Sequence, residues 1–453
     1  MTRIHTLTKT VLAASLLTSI TQMAYAATED EVTALRNEVA QLKALVMQQQ
    51  GNPVSAIALP TTTIGSISGD RALKKFGDSS TAQNPAQGFK LTTSNGAEVE
   101  LYGSLRGDAS FILEGNDGVQ SNVPNVGSAS STMVKDKINT TAQMTRLGLN
   151  FKTKVGDGQK LGGKLEADFY NGNTNTNNAG SLRVRHAFLT YNDWLLGQTK
   201  STFLGYSPEV IDVGTIVGTG VTRIPMVRYS HDLKPGTQLL VGLERGQSSA
   251  SGSNTSYKTP ALTARINQNF HGKDGLAMLR GMVENYEVDR TATANITGAN
   301  DNITGYGLGA GVNYKFNKAI EGFADVNYTK GTSGLAYGQT NAYVLNGAGD
   351  ADENAATSWM VGGVFNITPR LRSNVGYSQV NFDDSSDYAK NATIANGTSA
   401  ASNEKLRDLW ANLIFSPVKQ IDLGIEYHDG ERETFNGTTF SDDRVNVMAS
   451  YKF

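Results

Sequence analysis

Apolar and polar residues alternate along most of the chain from Ala97 onward, most plainly in the last ten residues, Arg444–Phe453. There Val445, Val447, Ala449, Tyr451 and Phe453 share one parity, and Arg444, Asn446, Met448, Ser450 and Lys452 share the other. Successive side chains of a strand point to opposite faces, so this segment is a strand with one apolar and one polar side. The same period recurs upstream. Val99, Leu101, Leu105 and Phe111 oppose Glu100, Tyr102, Arg106 and Asp108; Leu147, Leu149 and Phe151 oppose Arg146, Asn150 and Lys152. Leu161, Leu165, Ala167 and Phe169 then oppose Lys164, Glu166 and Asp168, and Leu182, Val184 and Phe188 oppose Arg183 and Arg185. Further strands centre near Leu196, Val227, Val241, Ala264, Val283, Leu308, Ala324, Val361, Val375, Leu413 and Leu423. With the terminal segment the pattern predicts sixteen strands.

The connections alternate as well. Short links at Lys154–Lys160, Tyr191–Trp194, Leu233–Gln238, His271–Leu276, Asn317–Ala319, Thr368–Leu371 and Ser416–Gln420 carry Pro, Gly, Asn or Asp, as tight turns require. Between them lie long polar stretches: Glu114–Thr140, Asn171–Ser181, Lys200–Thr222, Arg245–Lys258, Glu287–Ile303, Lys330–Ala356, Asn381–Glu404 and His428–Asp443. Short turns on one rim and long loops on the other are the signature of a membrane barrel. A soluble sandwich has no reason to produce that asymmetry. Residues 97–453 are therefore expected to form an all-β transmembrane barrel of 16 antiparallel strands.

Composition agrees. Mean hydropathy is −0.32, and beyond the N-terminus no stretch has the roughly 18 to 20 consecutive apolar residues that a membrane helix needs. A chain that enters lipid without such helices must close its strands into a barrel, because lipid offers no partner to an open sheet edge. Met1–Ala26 reads as a secretory signal peptide: Arg3 and Lys9 charge its start, Val11–Ile20 is mostly apolar, and Ala24-Tyr25-Ala26 supplies a cleavage site. Removing Arg3 and Lys9 from 40 bases leaves 38 against 42 acids, a net −4 that gives no sign of a nucleic-acid partner. With no cysteine, disulfides, Cys-ligated zinc and a Cys nucleophile are excluded.

Residues 27–50 follow a different period. Val32, Leu35, Val39, Leu42 and Val46 are spaced 3, 4, 3, 4, the a and d positions of a short α-helical coiled coil. Glu31 and Glu38 then fall at g, and Arg36 and Lys43 at e, placed to pair between neighbouring helices. About three heptads are marginal alone, so the helix is expected where something else already gathers several copies. Residues 51–96 read as a linker rich in Pro, Gly, Ser and Thr.

Two resemblances sharpen this picture. The closing segment resembles the terminal strand of Gram-negative outer-membrane barrels, in which the last aromatic is an assembly signal; Tyr451 and Phe453 would serve here. Ser181–Phe203 (SLRVRHAFLTYNDWLLGQTKSTF), Pro225–Tyr229 (PMVRY), Val99–Phe111 (VELYGSLRGDASF) and the N-terminal heptads resemble the DcaP-like trimeric porins of Acinetobacter and its relatives. The resemblance implies a trimer of 16-stranded barrels with a coiled-coil extension into the periplasm. It also implies uptake of small anions, dicarboxylates in particular.

The residues support an anion pathway in their own terms. The polar parity of the first four strands collects Arg106, Arg146, Lys164, Arg183 and Arg185 on one lumen wall, and Arg228 extends it, with Arg223, Arg265 and Arg280 as further additions. A guanidinium keeps its charge and offers two parallel donors to a carboxylate. Against this, Asp108, Glu166, Asp168 and Glu284 share the parity and could pair with the same bases. Lys200–Thr222, the third long loop, is moderately apolar and is expected to fold inward as a constriction, with Glu209 or Asp212 facing the lumen arginines. His186, His231, His271 and His428 are dispersed; His186 has outward parity, and no triad, metal spacing or phosphate loop is present. No catalysis, metal or cofactor is expected. The expected function is an outer-membrane diffusion porin for small anions such as succinate, a homotrimer in lipid whose N-terminal helix meets peptidoglycan or periplasmic proteins. The alternatives are a non-selective general porin and a structural protein tethered to the cell wall.

Overall fold

The structure is a computed structural model that describes residues 89–453 apart from 94–95, 129, 172–179, 213, 215, 219–222, 251–253, 290–300, 335–340, 347 and 396–401. The signal peptide, the coiled coil with Val32, Leu35, Val39, Leu42 and Val46, and most of the linker lie outside those residues. The first strands are β1 (Phe89–Thr92), β2 (Glu98–Asn116), β3 (Met133–Thr141), β4 (Arg146–Val155), β5 (Gln159–Asn171), β6 (Ser181–Tyr191) and β7 (Trp194–Lys200). Next come β8 (Arg223–Lys234), β9 (Thr237–Glu244), β10 (Asn254–Ser256), β11 (Ala261–Phe270), β12 (Gly275–Asp289), β13 (Asp301–Lys315) and β14 (Ile320–Lys330). The last are β15 (Tyr343–Leu345), β16 (Ala351–Glu353), β17 (Ala355–Thr368), β18 (Leu371–Phe382), β19 (Asn403–Val418), β20 (Ile421–Thr434) and β21 (Thr439–Lys452).

Sequential neighbours pair antiparallel, and β2 pairs with both β4 and β21, which closes the sheet. β3 and β4 run in line along β2, as β10 and β11 do along β12, so each couple counts as one barrel strand. β15 and β16 form a separate hairpin, and β1 adds to the edge that β21 leaves off. What remains is a closed barrel of sixteen antiparallel strands.

The outward parity is apolar. Leu105, Leu147, Leu165, Leu182, Leu196, Leu279, Leu308, Val361 and Leu423 are all exposed on it. Such a continuous apolar belt has no place in water; facing lipid it costs nothing. Aromatic rings edge the belt on both sides. Near the short turns Trp194 lies 4.9 Å from Tyr229 and Phe270 stacks on Tyr314 at 5.7 Å, while Trp359 and Tyr377 meet at 5.1 Å near the long-loop rim. On β13, Tyr306 and Tyr314 are eight residues apart, roughly 26 Å along the strand, which matches the height of a lipid-facing band.

Four local expectations are corrected. Met133–Thr141, read as loop, is strand, and most of His428–Asp443 is strand too, leaving a turn at 435–438. Both segments carry polar residues on both faces (Lys135 and Lys137 against Asp136 and Thr140; Glu431 and Glu433 against Arg432 and Thr434), so the period-2 signal fades where neither face meets lipid. The end of the linker is strand β1, paired from Phe89↔Leu101 to Thr92↔Glu98. Within β6 a bulge sets Arg185 and His186 opposite Glu166. One extra residue reverses the parity beyond it. His186 is therefore buried inward, with Nδ1 2.9 Å from Thr199 Oγ1, Phe188 packs inside, and Leu189 and Tyr191 take the outer face.

The seam is knitted at the C-terminus: Phe453 N–H donates to Gly103 O at 3.1 Å, and Gly103 N–H donates to Phe453 O at 2.9 Å. A Cβ on Gly103 would lie 2.6 Å from Phe453 Cζ, so only glycine admits the ring. Deleting Phe453 removes two hydrogen bonds worth about 0.5–1.5 kcal/mol each. A refolded barrel lacking it should melt only a few degrees lower; loss of all folded protein in detergent would show that the residue carries far more of the closure.

Candidate functional site

The charges of the barrel interior are concentrated first on β4, β5 and β6. Cross-strand register sets Arg146 opposite Asp168, and Asp168 opposite Arg183. The bulge in β6 brings Arg185 over the same two acids. Its Nε donates to Glu166 Oε1 at 2.9 Å and its Nη1 to Asp168 Oδ2 at 2.8 Å. Arg183 grips Asp168 through Nε and Nη2 at 2.8 and 2.7 Å. Arg146 Nε and Lys164 Nζ each approach Glu166 to 3.6 Å, and Tyr102 donates to its Oε2 at 2.8 Å. Gly148 makes room for that ring, since a Cβ there would fall 2.1 Å from Tyr102 Cζ.

Four cations thus share two carboxylates, a local excess of two positive charges. The partners are not equally visible. The Glu166 and Asp168 side chains are 1% and 0% exposed, against 36% for Arg183, 18% for Lys164 and 14% for Arg146. The acids are the more deeply buried partners, and the bases are the more exposed ones.

The described residues of the third long loop, from Ser201 to Gly218, run inside the barrel. Ser201 Oγ and Thr202 N–H donate to Glu244 at 2.7 Å, and Tyr206 stacks on Phe323 at 4.3 Å. Further along, Glu426 accepts the backbone amides of Ile211 and Asp212 at 2.8 and 2.7 Å, plus Asn412 Nδ2 at 2.9 Å. Val217 N–H donates to Asp408 Oδ2 at 2.7 Å. The loop leaves β7 and is clamped to β19 and β20 across the interior.

Of the other residues singled out in the sequence, Arg106 pairs with Asp108 at 2.6 Å and donates to the loop carbonyl of Ile211, also at 2.6 Å. Arg228 is buried in the wall of β8 rather than exposed to the lumen. Glu209 and Asp212 do not face the cluster on β4–β6. Glu209 is held by Arg372 of β18 at 2.9 and 2.6 Å. Asp212 is buried, accepts Ser121 N–H from the first long loop at 3.0 Å and Asn446 Nδ2 at 3.1 Å, and lies 3.9 Å from Arg444. Arg372, Glu426 and Arg444 were not anticipated. Strand parity alone assigns them to the inner face; their tie to a loop two hundred residues away leaves no mark in the sequence.

Arg280 of β12 lies flat across β13 to reach Asp325 on β14, its Nη1 donating to Oδ2 at 2.9 Å. Gly309 lies beneath it, and a Cβ there would be 2.8 Å from Arg280 Cζ and 2.3 Å from Asn327 Oδ1. Gly309→Ala should therefore displace the guanidinium and destabilise the barrel by about 1–3 kcal/mol, read as a lower Tm in detergent. An unchanged Tm would mean that Arg280 relaxes freely.

A closed barrel with an apolar exterior edged by aromatics, and a charged interior crossed by one of its own loops, is the build of an outer-membrane channel. The chain belongs to the DcaP outer membrane protein family, whose model matches residues 70–453. The crystal structure of the outer membrane channel DcaP of Acinetobacter baumannii is similar at 42% identity and a TM-score of 0.72, over 80% of this chain and 99% of that one. Salmonella typhi OmpF, in complex with daunomycin, shares the fold at 13% identity and a TM-score of 0.52, over 81% of this chain and 100% of that one. No curated protein sequence matches significantly. The family is one of outer-membrane channels, not of enzymes.

Proposed function

We propose that the channel passes small anionic solutes by passive diffusion, dicarboxylates such as succinate among them. One observation carries this reading: four cations on β4–β6 share two carboxylates that are more deeply buried than they are. An anion passing that wall meets guanidinium and ammonium groups before it meets any acid. Arg183 and Lys164 are the outermost of these groups, so they make the first contacts. Several weak contacts in series serve flux better than one tight site, because the solute must also leave.

In this reading the inward loop narrows the lumen. Its acids, Glu209 and Asp212, are tied to Arg372, Ser121 and Asn446 and act as anchors of the constriction instead of as its charged face. Arg106 holds the loop through Ile211 O. The protein works as a homotrimer in the outer membrane, with residues 27–50 as a coiled coil in the periplasm placed to meet peptidoglycan or periplasmic proteins. Residues 1–26 direct export, and Tyr451 with Phe453 marks the chain for assembly. These last assignments rest on the spacing of the heptads, the leader and the closing aromatics.

The test compares succinate with succinamide, a neutral molecule of nearly the same shape, in swelling of liposomes that contain the protein. Faster entry of succinate is expected. Equal or slower entry would leave a sieve with no preference for charge.

A further inference from the structure

Arg265 on β11 is 1% exposed, and the hydrogen bond it makes is a long one, from Nη1 to Leu204 O at 3.3 Å. Its Nε and Nη2 have no hydrogen-bond partner among the described residues. No carboxylate lies within ion-pair distance of it among the described residues. The guanidinium groups of Arg228 and Arg280 lie close enough to repel it, and Glu244 is the nearest acid that offsets them. Neither of the local acids is available. Glu244 is taken by Ser201 Oγ at 2.7 Å, Thr202 N–H at 2.7 Å and Thr263 Oγ1 at 2.8 Å. Asp325 is taken by both terminal nitrogens of Arg280 and by Tyr206 N–H.

Charge makes the problem plain. Arg228, Arg265 and Arg280 are all buried, Arg280 holds Asp325 and Glu244 is engaged by the loop, so Arg265 is left without a carboxylate of its own among the described residues. A guanidinium does not lose its proton in a protein, and a buried charge without a counterion is among the costliest features a fold can hold. Two other buried groups also have unmet capacity among the described residues: Thr202 Oγ1, two residues before Leu204 on the loop, and both side-chain amide atoms of Asn267, two residues along the same face of β11. Phe203 lies over Arg280 at 5.4 Å, and Phe203 and Leu204 are buried where the loop leaves the wall.

We propose that Arg265 holds a resident chloride-sized anion in the barrel wall beneath the root of the inward loop. One negative charge there offsets Arg265 and takes the hydrogen bonds of its Nε and Nη2. The ion is a fixed part of the wall and not cargo, because Arg265 is closed off from the lumen. Its role is to hold the Ser201–Leu204 turn in place, and it stands whatever solute the channel passes.

The decisive experiment is diffraction from wild-type crystals grown with bromide in place of chloride. An anomalous peak within hydrogen-bond reach of Arg265 Nε and Nη2 is expected; an ordered water or a filled side-chain contact there overturns the proposal. In detergent, the wild type should melt several degrees higher in chloride than in gluconate at equal ionic strength, since gluconate is too large for the site. That difference should vanish in Arg265→Met and persist in Lys258→Met, a control at an exposed position. A bromide peak with no chloride dependence in solution means occupancy at crystal concentration only and also overturns it. Wild-type data alone decide the case if Arg265→Met fails to fold.

Discussion

Glu426→Leu should raise single-channel conductance and current noise severalfold while the barrel still folds. Glu426 is one of the points from which the middle of the inward loop hangs, through the amides of Ile211 and Asp212, beside Arg372 on Glu209 and Arg106 on Ile211 O. A hydrogen bond to a charged acceptor is worth about 1.5–3 kcal/mol, so losing two shifts the loop's inward position by roughly 3–6 kcal/mol, a hundredfold or more in population. The ends of the loop keep their own anchors, Tyr206 on Phe323 and Val217 on Asp408. The expected motion is therefore a shift of Ile211 and Asp212 away from β20, with Glu209 still on Arg372, rather than unfolding. Glu426→Gln keeps one acceptor and should fall between. Planar-bilayer recordings check both; a folded Glu426→Leu channel with wild-type conductance would show that the loop is held mainly by Arg372 and Glu209.

The second large effect concerns charge. Replacing Arg183 and Arg185 with Gln takes the β4–β6 cluster from four cations over two carboxylates to two over two, cancelling its excess. Anion preference should fall to near zero. Arg185 is 6% exposed and bridges Glu166 and Asp168. Breaking such a buried pair costs about 3–5 kcal/mol, so a lower Tm should accompany the change. Arg183→Gln alone affects a more exposed group and should shift selectivity with little loss of stability. Asp168→Asn should act in the opposite direction, strengthening anion preference. If both Asp168→Asn and the double arginine variant leave selectivity unchanged, the cluster is structural filler.

The reach of the sequence is set by where lipid acts on it. Against lipid, one face of every strand must be apolar, and so the centres near Leu196, Val227, Leu308 and Leu423 all fall on observed strands. The seven short turns were equally legible, because tight reversals demand Gly, Pro, Asn or Asp. Above the membrane both faces meet water or other loops, and Met133–Thr141 and the upper parts of β20 and β21 lost their period. The bulge at Arg185 and His186 was hidden for another reason: one inserted residue leaves composition unchanged while it turns Phe188 inward.

The site was legible in half its terms. Parity showed that Arg146, Lys164, Arg183 and Arg185 share the inner face with Glu166 and Asp168, but burial depends on register and on the bulge. Which partner is the more exposed was beyond the pattern. Glu209 and Asp212 mark a different limit. Two acids on an inward loop invite the thought of a charged gate, yet each is bound by a wall residue far off in the chain, Arg372 and Asn446.

The most direct test of an anion pathway is the reversal potential of the purified protein in a planar bilayer under a salt gradient, followed by addition of succinate. An anion-selective potential and a current that succinate reduces are the expected results. A cation-selective or indifferent channel, with current unaffected by succinate, would contradict the account, because it would mean that the buried acids Glu166 and Asp168 neutralise the bases paired with them.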